Sequence, residues 1–211
     1  MIELKYHNID CMEGMKEFPD KYFELAIVDP PYGIGIDKWD IKPDKEYFNE
    51  LFRVSKSQII FGGNYFNLPI KRGWICWDKS VVIAGYLGKK DFDEFELAWT
   101  SLDIKTKMLR FSDIGNMSGF NGYIKVDYKF KGKIHVSQKH VKLYEWLLTN
   151  YAKTGDKILD THVGSGSSII AFEKHGFDYC GFEIDKDYYE ASTKRILKHR
   201  ELLQQEKIAY D

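Results

Sequence analysis

At 211 residues the chain is long enough for one domain with a substantial core. Its formal charge of −1, from 31 basic and 32 acidic residues, gives no global bias toward nucleic acid, and no apolar run approaches membrane-spanning length. The cysteines (Cys11, Cys76 and Cys180) lie far apart in apolar stretches without metal-ligand or disulfide spacing. Met1-Ile2-Glu3-Leu4 lacks a signal-peptide pattern, so a cytoplasmic protein with no metal and no membrane association is expected.

In chain order, Lys5–Asp10 reads as a strand and Met12–Phe18 as a short helix. The apolar run from Phe23 to Val28 makes Glu24–Asp29 a buried strand. Pro43-Asp44 opens a helix with Tyr47, Phe48, Leu51, Phe52 and Val54 on one side. Ser57–Phe61 is a strand stopped by Gly62-Gly63; with Asn64-Tyr65 these glycines form either a plain turn or part of a pocket. Trp74–Asp78 and Glu96–Thr100 are further strands. Lys139–Ala152 is helical, then Lys157–Thr161 strand, Ser165–His175 helix, Tyr179–Ile184 strand and Lys186–Lys207 helix. This alternation predicts an α/β fold with a mostly parallel twisted sheet and helices on both faces.

The stretch from Leu102 to Ile134 departs from the pattern, being rich in Gly, Asn, Ser, Lys and Tyr with weak periodicity. Between Trp99 and Lys142 stand nine Lys/Arg and three acids, a local surplus of six positive charges. It reads as a solvated loop or as a phosphate-contacting surface with aromatics interleaved for base contacts.

Two constellations carry chemistry. Asp29-Pro30-Pro31-Tyr32 ends the second strand, where open α/β sheets place ligands. It combines a carboxylate, two stiffening prolines and an aromatic face, which together suit a flat amino-bearing group. The second, Asp160-Thr161-His162-Val163-Gly164-Ser165-Gly166, is a strand end and glycine turn before a helix. Helix N-terminal N–H groups behind such a turn suit a carboxylate or phosphate, and a structural turn is the plain alternative. Glu183 ends the next strand, where an acid can accept hydrogen bonds from both ribose hydroxyls of an adenosine. A glycine loop without the dinucleotide fingerprint, followed by such an acid, fits S-adenosylmethionine.

Together these residues resemble the amino-group (adenine-N6 / cytosine-N4) DNA methyltransferase family. Asp29–Tyr32 is similar to its catalytic tetrapeptide, and residues 158–168 to its cofactor loop, usually Asp-Pro-Phe-x-Gly-Ser-Gly-Thr. His135-Val136-Ser137-Gln138-Lys139-His140 is similar to the family's His-Pro-Thr-Gln-Lys-Pro segment. Asn8-Ile9-Asp10-Cys11 matches the acid beside the ribose-binding strand, which puts Asp10 at the adenine end of the cofactor. The order of these motifs is that of the beta group. It implies a circularly permuted S-adenosylmethionine-dependent methyltransferase fold, a single catalytic domain over 1–211 with an inserted target-recognition segment at 102–134. Numbered from the cofactor-loop strand, the expected sheet order is 3-2-1-4-5.

The resemblance implies methyl transfer to the amino group of an adenine flipped out of double-stranded DNA, with Asp29, Pro30, Pro31 and Tyr32 as catalytic residues. Asp10, Cys11, Ser137, Gln138, Asp160, His162, Gly164, Ser165, Gly166 and Glu183 are the implied cofactor residues. Thr161-His162 stand for the usual Pro-Phe, and Val136 and His140 for two prolines. His162 is then expected as a flat surface near the cofactor rather than a base. A homodimer and a separate restriction endonuclease, as in restriction-modification systems, are the implied partners. Cytosine-N4 transfer, RNA or protein-glutamine transfer, and a non-catalytic DNA-binding or partner subunit are the competing readings.

Overall fold

The computed structural model describes residues 2–35, 38–78, 95–112, 123–125 and 138–210. In chain order these form β1 (Tyr6–His7), α1 (Cys11–Lys16), β2 (Phe23–Val28), α2 (Lys45–Val54), β3 (Ser55–Phe61), a 3₁₀ turn (Gly63–Tyr65), β4 (Trp74–Asp78), β5 (Phe95–Thr100), β6 (Lys107–Ser112) and β7 (Tyr123–Lys125). They continue with α3 (Val141–Tyr151), β8 (Lys157–Asp160), α4 (Ser167–Lys174), β9 (Asp178–Phe182) and α5 (Lys186–Tyr210). The fold is α/β with a mostly parallel sheet, and the chain divides into two units.

The first unit comprises Met1–Val28, Asp44–Lys56 and Lys133–Asp211. Its strands run β1-β9-β8-β2, every neighbouring pair parallel. This is the 3-2-1-4 part of the expected order. The central strands are continuous apolar runs: Leu25, Ala26, Ile27 and Val28 of β2 and Ile158 and Leu159 of β8 are all buried. That is the pattern of strands covered on both faces. Each leucine, isoleucine or valine among them contributes about 1.5–3 kcal/mol relative to exposure. Helix α1 packs with α2, while α3 packs with α4, which also touches α5.

Polar caps set the element ends. Asp44 accepts the Tyr47 N–H at 3.0 Å and starts α2, as the Pro43-Asp44 pair predicts. Asp185 accepts the N–H groups of Asp187 and Tyr188 and starts α5. β1 is shorter than the expected Lys5–Asp10 strand. The Asn8 side chain turns to the carbonyls of Glu183 and Ile184, and Asp10 caps α1 instead. Helix α4 begins at Ser167 rather than Ser165 because Gly166 is left-handed, with φ 78°.

The second unit comprises Asp29–Pro43 and Ser57–Gly132. Here β3 and β4 both pair antiparallel with β5, while β6 joins β4 and β7 joins β6 in parallel. Strands β6 and β7 fall in the stretch read above as aperiodic. Alternation is present in β6, where Leu109 is buried and Met108 is 54% exposed, but flanking charges mask it. Positions 113–122 and 126–134 of the expected recognition segment lie outside the described residues, as does Ser137.

Candidate active site

The cofactor-loop candidates gather at the carboxyl end of β8, which lies between β9 and β2. Asp160 is buried, and its Oδ1 accepts the His162 N–H at 3.0 Å. Val163 donates its N–H to the Phe182 carbonyl at 3.0 Å, tying the loop to the end of β9. Gly164 is left-handed, with φ 54°, and its N–H donates to Glu183 Oε2 at 2.8 Å. Glu183 Oε1 accepts the Asp185 N–H at 2.9 Å. Burial raises the Glu183 pKa, and those two N–H groups oppose the rise.

The two loop glycines differ in what surrounds them. A Cβ on Gly164 would meet no heavy atom within 4 Å, so this side of the loop is open. A Cβ on Gly166 would lie 3.1 Å from Ile196 and 3.2 Å from Ser192, so this glycine lets α5 approach. From the same helix, Arg195 donates to the Ser165 carbonyl at 2.7 Å and the Ser167 hydroxyl at 2.9 Å. Ser167 in turn donates to the Lys139 carbonyl at 2.7 Å, which brings the Gln138-Lys139 segment to the start of α4. Asp10 stands beyond β1, and its Oδ1 accepts the Met12 N–H at 2.7 Å. Cys11 follows it; burial and the Asp10 charge push its thiol up to about 12, so it stays protonated and unreactive.

His162 is half-buried, and burial pushes its pKa down to about 4. Its Nδ1 lies 2.9 Å from the Thr161 hydroxyl, which lies 2.7 Å from the hydroxyl of Tyr47 in α2. The Tyr47 ring also meets the imidazole edge-on, with centroids 5.4 Å apart. The expected flat surface is therefore a ring fixed at one nitrogen.

The tetrapeptide candidates gather in the second unit. Pro30 is buried, and Asp29, Pro31 and Tyr32 are half-buried. Tyr32 donates its hydroxyl to Asp29 Oδ1 at 2.7 Å. Burial and the Asp29 charge raise the phenol pKa well above its ordinary value, so it stays a neutral donor. The Tyr32 ring stacks on Tyr65, with centroids 5.0 Å apart and planes 16° apart, and meets Phe66 edge-on. Gly62, left-handed at φ 65°, makes room for it: a Cβ there would sit 2.2 Å from Tyr32 Cε1. Gly62 and Tyr65 thus brace Tyr32 from within the Gly62-Gly63-Asn64-Tyr65 segment.

Downstream of Tyr32, Asp40 accepts three main-chain N–H groups, those of Gly33, Ile34 and Gly35, each at 2.8 Å. Sequence reasoning missed Asp40; an acid shortly after two glycines is the only local signal. Asp78 pairs with Arg110 at 2.6 Å and serves the β4–β6 pairing.

The fold matches that of known methyltransferases. Among solved structures the chain is similar to M1.HpyAVI in complex with SAM, at 19% identity and TM-score 0.60, over 92% of this chain and 100% of that one. It is also similar to PvuII DNA methyltransferase, described as cytosine-N4-specific, at 12% identity and TM-score 0.60, over 92% of this chain and 90% of that one. Type II methyltransferase M.HpaI of Haemophilus parainfluenzae is 26% identical over 226 residues, 89% of this chain and 72% of the relative. The sequence pattern of the DNA methylase family matches residues 66–194, a span with the cofactor loop and Glu183 that begins beyond the tetrapeptide. The chain belongs to this family, the S-adenosylmethionine-dependent enzymes that methylate amino groups of bases in DNA.

The residues present fit that cofactor. Glu183 accepts main-chain N–H groups at both carboxylate oxygens, and a carboxylate fixed in this way is the kind of acceptor that a ribose would need. The open side of Gly164 admits close approach of a ligand to the main chain.

Proposed function

We propose that this chain transfers a methyl group to N6 of an adenine flipped out of double-stranded DNA. The observation that carries the reading is the path of the chain at Val28. Strand β2 lies parallel to β8, with Leu25 opposite Ile158 and Ala26 opposite Leu159, so both carboxyl ends lie at one edge. The cofactor loop leaves the end of β8, and Asp29 is the first residue after β2.

An exocyclic amino nitrogen is a poor nucleophile because its lone pair is delocalised into the ring. In the proposed reaction Asp29 and the Pro30 carbonyl accept its two N–H bonds, which favours a pyramidal nitrogen with a free lone pair. The Tyr32 hydroxyl donates to Asp29 Oδ1 and so orients the carboxylate. The Tyr32 ring, braced by Tyr65, offers its stacking surface to the base. When bound, S-adenosylmethionine supplies an electrophilic methyl on a sulfonium. The new N–C bond forms as the C–S bond breaks, and the nitrogen then loses its proton to Asp29 or water. Alignment and electrostatics supply most of the rate enhancement. A base inside a duplex is out of reach, so flipping is required.

Adenine is favoured over cytosine by the aspartate at the first tetrapeptide position, as the family resemblance implies. The test is expression of the chain, followed by nucleoside mass spectrometry and single-molecule sequencing of host DNA. N6-methyladenine at a recurring site is expected. N4-methylcytosine instead would overturn the base assignment, and no modified base from folded, cofactor-bound protein would overturn the substrate.

A further inference from the structure

We propose that Tyr47 and Thr161 are positioning residues whose hydroxyls fix the His162 imidazole as an Nε2–H donor toward the cofactor. This deepens the function proposed above and rests on the cofactor role that the family resemblance implies for His162. Where the family usually carries Pro-Phe, this chain carries Thr161-His162, and the two replacements explain each other. A phenylalanine presents only a flat face. A histidine adds one directional hydrogen-bonding atom, which is useful only if its proton is on the right nitrogen.

The hydroxyl chain determines that position. Thr161 has one proton and sits between two partners, Tyr47 at 2.7 Å and His162 Nδ1 at 2.9 Å. A phenol is a stronger donor and weaker acceptor than an aliphatic alcohol, and the imine nitrogen of imidazole is the strongest acceptor of the three. The proton order is therefore Tyr47 to Thr161, and Thr161 to His162 Nδ1. A neutral imidazole that accepts at Nδ1 carries its proton on Nε2. Burial keeps this ring neutral at physiological pH. Tyr47 and Thr161 are both buried, which shields their hydroxyls from bulk water. The edge-on Tyr47 ring restricts imidazole rotation as well. The outcome is a rigid single donor for an oxygen or ring nitrogen of the cofactor.

The test uses the full chain labelled with ¹⁵N-histidine, with His162→Phe assigning the resonance. Long-range ¹⁵N–¹H correlation at pH 7 should show the Nε2–H tautomer for His162. In Thr161→Val, which keeps shape and removes the hydroxyl, that preference should weaken. Calorimetry should show affinity for S-adenosylmethionine falling roughly threefold to tenfold in Thr161→Val and in Tyr47→Phe, as for loss of one net hydrogen bond. A wild-type Nδ1–H tautomer, or unchanged affinity in Thr161→Val, would overturn the proposal. If Thr161→Val does not fold, the wild-type tautomer alone decides. A protein with this tautomer and these affinities that leaves adenine unmodified would sink the substrate assignment instead, with the imidazole proposal upheld.

Discussion

The cofactor loop and the tetrapeptide each follow a strand of the same parallel pair, yet they are held by different chemistry. From Asp160 to Ser167 the loop is fixed by directional polar bonds: Asp160 to the His162 N–H, Glu183 to the Gly164 N–H, and Arg195 to the Ser165 carbonyl. Around Asp29–Tyr32, ring contacts take part, with Tyr32 lying on Gly62 and Tyr65 and meeting Phe66 while its hydroxyl donates to Asp29. Hydrogen bonds fix angles, whereas stacking fixes a plane and leaves sliding free. A small ligand that presents the same atoms in every catalytic cycle suits the first kind of support. A base that must leave its duplex, enter and depart suits the second.

The strongest way to separate the two regions is Asp29→Ala. Methyl transfer to DNA should fall by about a thousandfold or more, while affinity for S-adenosylmethionine stays within a few-fold. An active variant would refute the role assigned to Asp29. The mirror experiment is Glu183→Ala, where calorimetry should show cofactor affinity reduced by roughly ten- to a hundredfold, the range for hydrogen bonds to a charged group. Stacking can be attacked through Gly62→Ala, whose new methyl collides with Tyr32 in a left-handed backbone. Urea denaturation should show a loss of about 1–3 kcal/mol, with DNA transfer reduced more than cofactor binding; equal losses in both would mean that the ring contacts support the two regions alike.

A further effect is a pH dependence from the cofactor loop. His162 titrates near 4 in the folded protein and near its ordinary value of about 6.5 when unfolded. Between those pH values the unfolded chain binds the extra proton. Stability therefore falls as pH falls through that window, by about 1.4 kcal/mol per unit from this residue, and is level above it. His199, whose pKa burial also lowers, acts with the same sign. In His162→Phe the slope should be shallower by about one proton. A slope equal to wild type would mean that His162 is not a buried neutral ring.

Legibility in the sequence tracked the range of the interactions. The α/β alternation, the first-unit strands and the two motif loops come from local patterns, and each was readable. Strand direction in β4 and β5 was not, because apolar periodicity is identical for parallel and antiparallel neighbours. The supporting residues were also hidden. Tyr47 reads as one more apolar position in a helix, yet its hydroxyl meets Thr161, 114 positions away. Arg195 reads as a solvated charge in α5 but reaches back to Ser165. Tyr65 sits after a glycine pair that any turn might contain, and only the register of β3 against β5 brings Gly62 to the Leu97 carbonyl. Nothing local marks such residues, since their partners are supplied by tertiary pairing.

The division of the chain has a practical meaning for engineering. The polypeptide passes between its two units at Val28–Asp29, Pro43–Asp44, Lys56–Ser57 and Gly132–Lys133. Neither unit is a contiguous gene segment, so no single truncation yields either alone. Grafting the second unit from a relative therefore requires matched junctions at all four bonds. The first of them is the peptide bond that delivers Asp29 from the end of β2.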